Sequence, residues 1–428
     1  MTTPVPEFDD AKMFACLGDV RHGALAVSGG ADSTALMHLA KRWQVSVGRS
    51  APRFTVLSVD HGLRAESADE ALRVADQAKM LGLDAEILHW DPGETKSGIQ
   101  ERARQARYSL MAAYAHANGL DALITAHHLD DQAETLLMRL GRGSGVDGLA
   151  GIPRTGRWAG LNVLRPLLTV PKARLVATLE DLGAVWIEDP SNDDSRFERV
   201  RVREAMAELE KLGIGAASLA RSAARLRRAQ EALDAAADDF LKENASTSDV
   251  GYGQIGTEAL CHAPEEIALR GVARLVEAIG GRVDPPSLAK LEVLVQAVRS
   301  GDETARTLGG CRITPDRQDT VLVRERGRAP LERLVLRPGD HGLWDNRFHV
   351  SLDAACRLPV EVRALGDEAY GKVRSRLGAP VNLPAHAADG LVSFWRDEDV
   401  LSAPTIGYFA DPDEGRACAA RFVNHPAL

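Results

Sequence analysis

The stretch that most constrains this 428-residue chain is Ala24-Leu25-Ala26-Val27-Ser28-Gly29-Gly30-Ala31-Asp32-Ser33-Thr34. A short apolar run ends in a Ser-Gly-Gly turn, and a helical pattern follows, with Ala35, Leu36, Leu39, Ala40 and Trp43 on one face. The order is strand, glycine turn, helix N-terminus. Two glycines allow a sharp turn and a close approach of backbone to an anion. The first helical turn adds unpaired N–H groups and a partial positive charge, and Ser28 and Ser33 add hydroxyls. That arrangement cradles phosphate. A bland alternative is a glycine turn with a serine cap.

The strand pattern repeats. Arg53–Val59, Ala85–His89, Ala122–Ala126, Leu161–Leu164 and Val185–Ile187 read as further strands. Helices are predicted between them, over 67–81, Ile99–Ala117 and Lys172–Leu182, the first opened by a capping box at Ser67–Glu70. Alternation of this kind predicts an α/β, doubly wound parallel sheet, whose ligands sit at the carboxyl ends of the strands. Three polar clusters fall there: Ser28–Ser33, Asp60-His61-Gly62-Leu63-Arg64, and His127-His128-Leu129-Asp130-Asp131-Gln132-Ala133-Glu134. They should converge on one crevice.

The third cluster holds three carboxylates within about one helical turn, with Asp131 and Glu134 on one face. One aspartate at a helix start is ordinarily a cap. Three acids and two histidines exceed what capping needs, and can hold a divalent cation or receive an ammonium group. His61 and Arg64 could contact phosphate or base. Of the arginines on the third helix, Arg102 and Arg104 read as a solvated face or an anion clamp, and Arg107, beside Tyr108, is promoted to the site. Gly141–Gly145 is glycine-rich enough to read as a mobile loop over it.

Around Ser195–Glu210 the pattern becomes all helical. Leu219, Leu226, Leu233 and Phe240 recur every seven residues, predicting one long helix. Arg199, Arg201 and Arg203, then Arg221, Arg225 and Arg228, make this the most arginine-rich region. Interleaved glutamates allow a salt-bridged face instead. Strands are predicted near Ala305–Ile313 and Thr320–Val323, a charged linker at Arg324–Pro330, and short β runs with many Gly and Pro after Leu334. The domains expected are 1–205, a nucleotide-binding catalytic domain; 206–328, mainly helical; and 329–428, small and β-rich.

Composition excludes several classes. With 45% hydrophobic and 26% charged residues the chain reads as soluble and globular, and no apolar run approaches the roughly 20 residues of a membrane span. The first ten residues are acidic and do not read as a signal peptide. Five scattered cysteines form neither a disulfide framework nor a Cys-x-x-Cys pair, which fits a reducing cytoplasm. A net charge of −9 requires any RNA partner to be met by a local basic surface.

Ser28-Gly-Gly-Ala-Asp-Ser33 lacks the Gly-Lys pair of a P-loop and carries Asp32 instead. It resembles the PP-loop of the ATP pyrophosphatase superfamily. The ordered set of that loop, His61-Gly-Leu-Arg64, His127–Thr135, Arg142-Gly-Ser-Gly145, Arg165-Pro-Leu-Leu168 and Asp189-Pro-Ser-Asn192 resembles bacterial tRNA(Ile)-lysidine synthetase. One departure is Val200 in Arg199-Val200-Arg201-Val202-Arg203, where that family often has asparagine.

The resemblance implies ATP-dependent ligation of lysine to carbon 2 of the wobble cytidine in a CAU-anticodon isoleucine tRNA, through an adenylated cytidine. It implies ATP on Ser28, Gly29, Gly30, Ala31, Asp32, Ser33, His61 and Arg64, and Mg²⁺ on Asp32 and Asp130. It further implies lysine on Asp131 and Glu134, with Asp32, Arg107, His127 and Asp131 in the chemistry and the six arginines above on tRNA. A homodimer is the family's tendency. The nearest rival is a PP-loop enzyme that thiolates tRNA, which would usually need cysteine pairs.

Overall fold

The computed structural model describes residues 8–62, 66–91, 93, 99–188, 196, 198–327, 330–377, 381–411 and 415–423, with only the backbone of Gln100 and Glu101. The chain divides into two compact units, Met1–Gln230 and Glu231–Leu428, the division falling inside one long helix.

In the first unit the elements run α1 (Asp10–Met13), β1 (His22–Ala26), α2 (Ala31–Val47), β2 (Arg53–Asp60), α3 (Ser67–Met80) and β3 (Asp84–His89). Then come α4 (Ile99–Ala117), β4 (Ala122–Ile124), α5 (Leu129–Gly141), α6 (Val146–Leu149), β5 (Thr155–Trp158), β6 (Leu161–Leu164), α7 (Lys172–Asp181), α8 (Glu198–Lys211) and α9 (Ala216–Asn244). The sheet order is β3-β2-β1-β4-β6-β5, parallel throughout except for β5. β1 is central and its Ala24 and Leu25 are fully buried, as expected of a strand covered on both faces. Helix α2 packs Ala35, Leu36, Leu39 and Ala40 into the core beside Leu25, Val56 and Ile124. Met111, Ala112 and Ala115 of α4 cover the other face with Leu57 and Leu123.

Two local expectations fail. Val185–Ile187 is not a strand: Ile187 N donates to Gly29 O at 2.9 Å, a single bond to the glycine turn rather than a ladder. Ser67 does not cap α3, because its hydroxyl is drawn to the Asp60 carboxylate, and Glu66 takes the cap position.

The second unit opens on the rest of α9, which at 29 residues is the long helix the heptad spacing predicts. A five-stranded antiparallel sheet follows, ordered β7 (Ala245–Thr247), β8 (Gly253–Gly256), β11 (Asp319–Arg324), β10 (Cys311–Pro315), β9 (Arg306–Leu308). Helices α10 (Thr257–His262), α11 (Glu265–Gly280) and α12 (Leu288–Arg299) lie in the same segment, so the region expected to be mainly helical carries a sheet as well. β12 (Leu334–Leu336), β13 (His341–Trp344), β14 (Phe348–Leu352), β15 (Val360–Ala364), β16 (Val392–Arg396), β17 (Asp399–Ala403), β18 (Tyr408–Phe409) and β19 (Cys418–Phe422) form two more antiparallel sheets, with α13 (Gly366–Arg374) between β15 and β16. Arg324 is not linker. It ends β11, buried, with both arms of its guanidinium on Asp345 at 2.8 Å, and the fully buried Arg347 binds the same carboxylate at 2.7 Å. No helix among the described residues is long and apolar enough to cross a membrane.

Candidate active site

The glycine turn after β1 is built as its sequence requires. Gly29 sits at φ +87, and a Cβ there would meet the Ile187 side chain at 2.5 Å. Gly30 caps α2 with φ −69 and ψ 163, and a Cβ there would point into open space, with nothing within 4 Å. Ser33 closes the turn: its hydroxyl donates to Gly30 O at 3.0 Å and accepts from Ser28 N at 3.2 Å. The two serine hydroxyls lie 3.4 Å apart. What the turn offers outward is the set of N–H groups at the start of α2, which have no acceptor in the helix. Asp32 stands on that first turn.

The cluster after β4 meets this turn. His128 is buried, and one imidazole lies among three carboxylates: Asp32 at 3.4 Å, Asp130 at 3.6 Å and Asp131 at 3.5 Å. Burial disfavours its cationic form, but the surrounding acids outweigh this and push it up to about 10, so the ring is an imidazolium. Burial would raise the Asp32 carboxyl, yet His128 and then Lys172, whose Nζ is 3.6 Å away, hold it below the ordinary range. Asp130 is likewise held low against burial by His128 and by the Lys172 N–H at 2.8 Å. That bond fixes the start of α7.

The capping role expected of one aspartate falls to Asp131, which accepts His128 N at 2.9 Å across the first turn of α5. Its other oxygen faces Arg199 of α8 at 4.0 Å. Glu134, one helical turn on, is only 2% exposed and receives Arg203 Nε at 2.6 Å. Of the arginines expected to face RNA, Arg203 is therefore turned inward to a carboxylate and Arg199 points toward Asp131. Arg221, Arg225 and Arg228 are exposed on α9, and Arg201 binds the Arg196 carbonyl at 3.0 Å.

His127 contrasts with its neighbour. Burial pushes it down to about 4; Asp131 opposes the shift, while Arg165, Arg104 and Arg199 add to it. It is a neutral imidazole at physiological pH, with Nδ1 on the Thr125 hydroxyl at 2.9 Å. Burial likewise lowers the Arg107 guanidinium. His61 follows β2, its ring edge against Trp90 at 6.2 Å. Arg64 and the Asp189–Asn192 motif lie outside the described residues. Gly141–Gly145 joins α5 to α6, with Arg142 ion-paired to Glu198 of α8 at 2.5 Å.

The structure thus brings Ser28–Ser33, Asp130, Asp131 and His128 together. Sequence reasoning missed Lys172 and the cationic state of His128. The sequence signals were slight: a lysine following the Pro171 that starts a helix, and a histidine flanked by acids.

Oxygen donors clustered on a phosphate cradle suit a hard divalent cation. Asp32 has one buried oxygen, Oδ1, with no hydrogen-bond partner among the described residues. Asp32 and Asp130, which share His128 and Lys172 as partners, are the carboxylates expected to hold one.

Residues 11–210 match a protein family described as a PP-loop domain. A tRNA(Ile)-lysidine synthase of Ruegeria pomeroyi is 39% identical over 395 residues, covering 90% of this chain and 89% of its own. Another, of Methylobacterium nodulans, is 46% identical over 293 residues, covering 67% of this chain and 85% of its own. Among solved structures, a U34-tRNA thiolase of Methanococcus maripaludis superposes with a TM-score of 0.43 at 20% identity, over 51% of this chain and 77% of its own. That likeness is too remote to carry function.

Proposed function

The chain belongs to the tRNA(Ile)-lysidine synthase family, and from that membership and its site we infer that it joins lysine to carbon 2 of the wobble cytidine of CAU-anticodon isoleucine tRNA. The observation that carries the reading is the meeting of loop and acids. Asp32 of the ATP loop and Asp131 of the acid cluster lie within 3.5 Å of the same imidazolium, so the nucleotide and an amine would share one site.

In the first step the oxygen on carbon 2 of cytosine attacks the α-phosphate of ATP. An O–P bond forms, the α–β bridge breaks, and pyrophosphate leaves. The glycine turn and the N-terminus of α2 hold the phosphates, with Gly30 leaving the space a side chain would fill. His61 and Arg64 would line the same nucleotide site. Mg²⁺ held by Asp32 and Asp130 would neutralise charge on the leaving pyrophosphate. Neutral His127 and Arg107 would orient the reacting oxygen and the phosphate.

In the second step the lysine ε-amine, after losing a proton, attacks carbon 2 and displaces AMP. Asp131 would make the first contact with the ammonium. Glu134 reaches it only by sharing or releasing Arg203, so it would act as the second carboxylate. RNA would be met by Arg201, Arg221, Arg225 and Arg228, with Arg199 and Arg203 at the inner end of that arginine surface.

Separating the half-reactions tests this. With tRNA and ATP but no lysine, the protein should release pyrophosphate and form an adenylated tRNA; added lysine should then release AMP. AMP and pyrophosphate released together without tRNA would overturn the order.

A further inference from the structure

Every described acid in the crevice has a cation: Asp32 has Lys172, Asp131 has Arg199, Glu134 has Arg203, and His128 lies among Asp32, Asp130 and Asp131. A second group of cations beside the crevice has no such balance. Arg104 and Arg107, three residues apart, share a face of α4, and Arg165 follows β6. The Nε atoms of Arg107 and Arg165 are buried without a hydrogen-bond partner among the described residues. Burial lowers both guanidiniums and Arg104 adds to the effect; what opposes it among the described residues is Tyr108, not a carboxylate. Arg165 does donate to Pro153 O at 2.9 Å, which satisfies an N–H but not a charge.

Arg107 and Arg165 are half-buried and Arg104 is exposed, and a partly buried guanidinium with no anion among the described residues is costly to keep in a fold. The Arg104 guanidinium lies 5.5 Å from the Tyr108 ring, and Tyr108 packs at a tilt against Trp158, ring centroids 5.2 Å apart, with Trp158 37% exposed. The group borders the reaction site, since Arg165 and Arg104 are among the charges that keep His127 neutral.

We propose that Arg104 and Arg165, with Arg107 beside them at the reacting phosphate, form an anion pocket for a phosphodiester of the substrate RNA next to the nucleotide being modified, with Trp158 offering a stacking face to an unpaired base. This rests on the reading of the substrate as tRNA. ATP phosphates have their own cradle on α2. The carboxylate of free lysine is the other oxyanion available, but it needs neither an exposed indole nor an outward-lying arginine. Unpaired RNA uses both, because bases stack on aromatic rings and guanidinium planes.

Arg104→Met and Arg165→Met test the pocket in the full-length enzyme with full-length CAU-anticodon tRNA. Each should weaken tRNA binding about 10-fold and lower the slope of log affinity against log salt by about 1. The KM values for ATP and lysine should stay within about twofold. A tRNA carrying neutral methylphosphonate linkages on either side of the wobble nucleotide should bind wild type about 10-fold less well. That tRNA should bind Arg165→Met no worse than unmodified tRNA does. Unchanged tRNA affinity in both variants, or losses from variant and methylphosphonate that simply add, overturn the pocket. So does a raised lysine KM with tRNA binding intact, which would make it a carboxylate site. Wild-type protein that does not modify this tRNA overturns the functional reading itself; active wild type with unaltered variants overturns the pocket alone.

Discussion

Gly30→Ala separates the fold of the glycine turn from its function. At φ −69 and ψ 163 alanine is unstrained, and its Cβ would meet nothing within 4 Å. Restricting the unfolded chain at such a site stabilises by about 0.4–1 kcal/mol. The melting temperature of the free protein should therefore stay level or rise by roughly 1–4 °C, taking about 2–4 °C per kcal/mol for a unit of this size. The open space is where the phosphates are proposed to lie, and a methyl group there would displace them by about 1 Å, enough to cost about 100-fold in rate, and the same factor is taken for ATP affinity. With ATP at 100 times its wild-type Kd, wild type gains about 2.7 kcal/mol; the variant, now near its own Kd, gains only about 0.4 kcal/mol. Thermal melting with and without ATP reads this directly, alongside pyrophosphate release with tRNA. Gly29→Ala is the contrast. At φ +87 with Ile187 at 2.5 Å, it should lose about 1–3 kcal/mol of stability even without ATP. A Gly30→Ala protein with undiminished ATP stabilisation and activity would refute the cradle.

Arg203→Met leaves the Glu134 carboxylate buried and unpaired, for which about 3–5 kcal/mol is typical; with Arg203 about a third exposed, roughly 2–3 kcal/mol is expected, or about 4–12 °C. Adding Glu134→Gln should recover most of it, and strictly additive melting shifts would contradict the pairing. Asp131→Asn should raise the lysine KM at least about 10-fold with adenylation of tRNA largely retained; an unchanged lysine KM would sink the ammonium assignment. Stability in metal-free buffer should peak near pH 6.5. His127, lowered to about 4, contributes stability present above its ordinary 6.5 and lost as pH falls toward 4. His128, raised to about 10, contributes stability present below 6.5 and lost as pH rises toward 10. His128→Asn should flatten the alkaline limb in a pH series of urea melts, and a limb unchanged by it would contradict the buried imidazolium.

The parallel sheet was legible because strands alternate with helices, and three of the strands end in polar clusters that fall in strand order. β1 into Ser28–Ser33 and β4 into His127–Glu134 needed only periodicity and a glycine turn. The pairing inside the site was not legible. Nothing local to Glu134 announces Arg203, 69 residues later, and nothing local to Asp32 announces Lys172. Charge partners across elements depend on how α7 and α8 pack, which propensity does not encode. Val185–Ile187 shows the opposite error: β-branched residues read as a strand, yet the segment's apolar Ile187 is used to cover Gly29. In the second unit, the inward turn of Arg324 onto Asp345 hid in a charged stretch, Arg324–Pro330, that read as linker, and its partners Asp345 and Arg347 lay in the β-rich part beyond it.

In the proposed function, one crevice adenylates a cytidine and then delivers lysine to it. Incubating the protein with ATP, labelled lysine and total tRNA tests it most directly. The label should enter only CAU-anticodon isoleucine tRNA, with one AMP and one pyrophosphate released per lysine joined. Label in no tRNA, with tRNA-dependent uptake of sulfur instead, would contradict it.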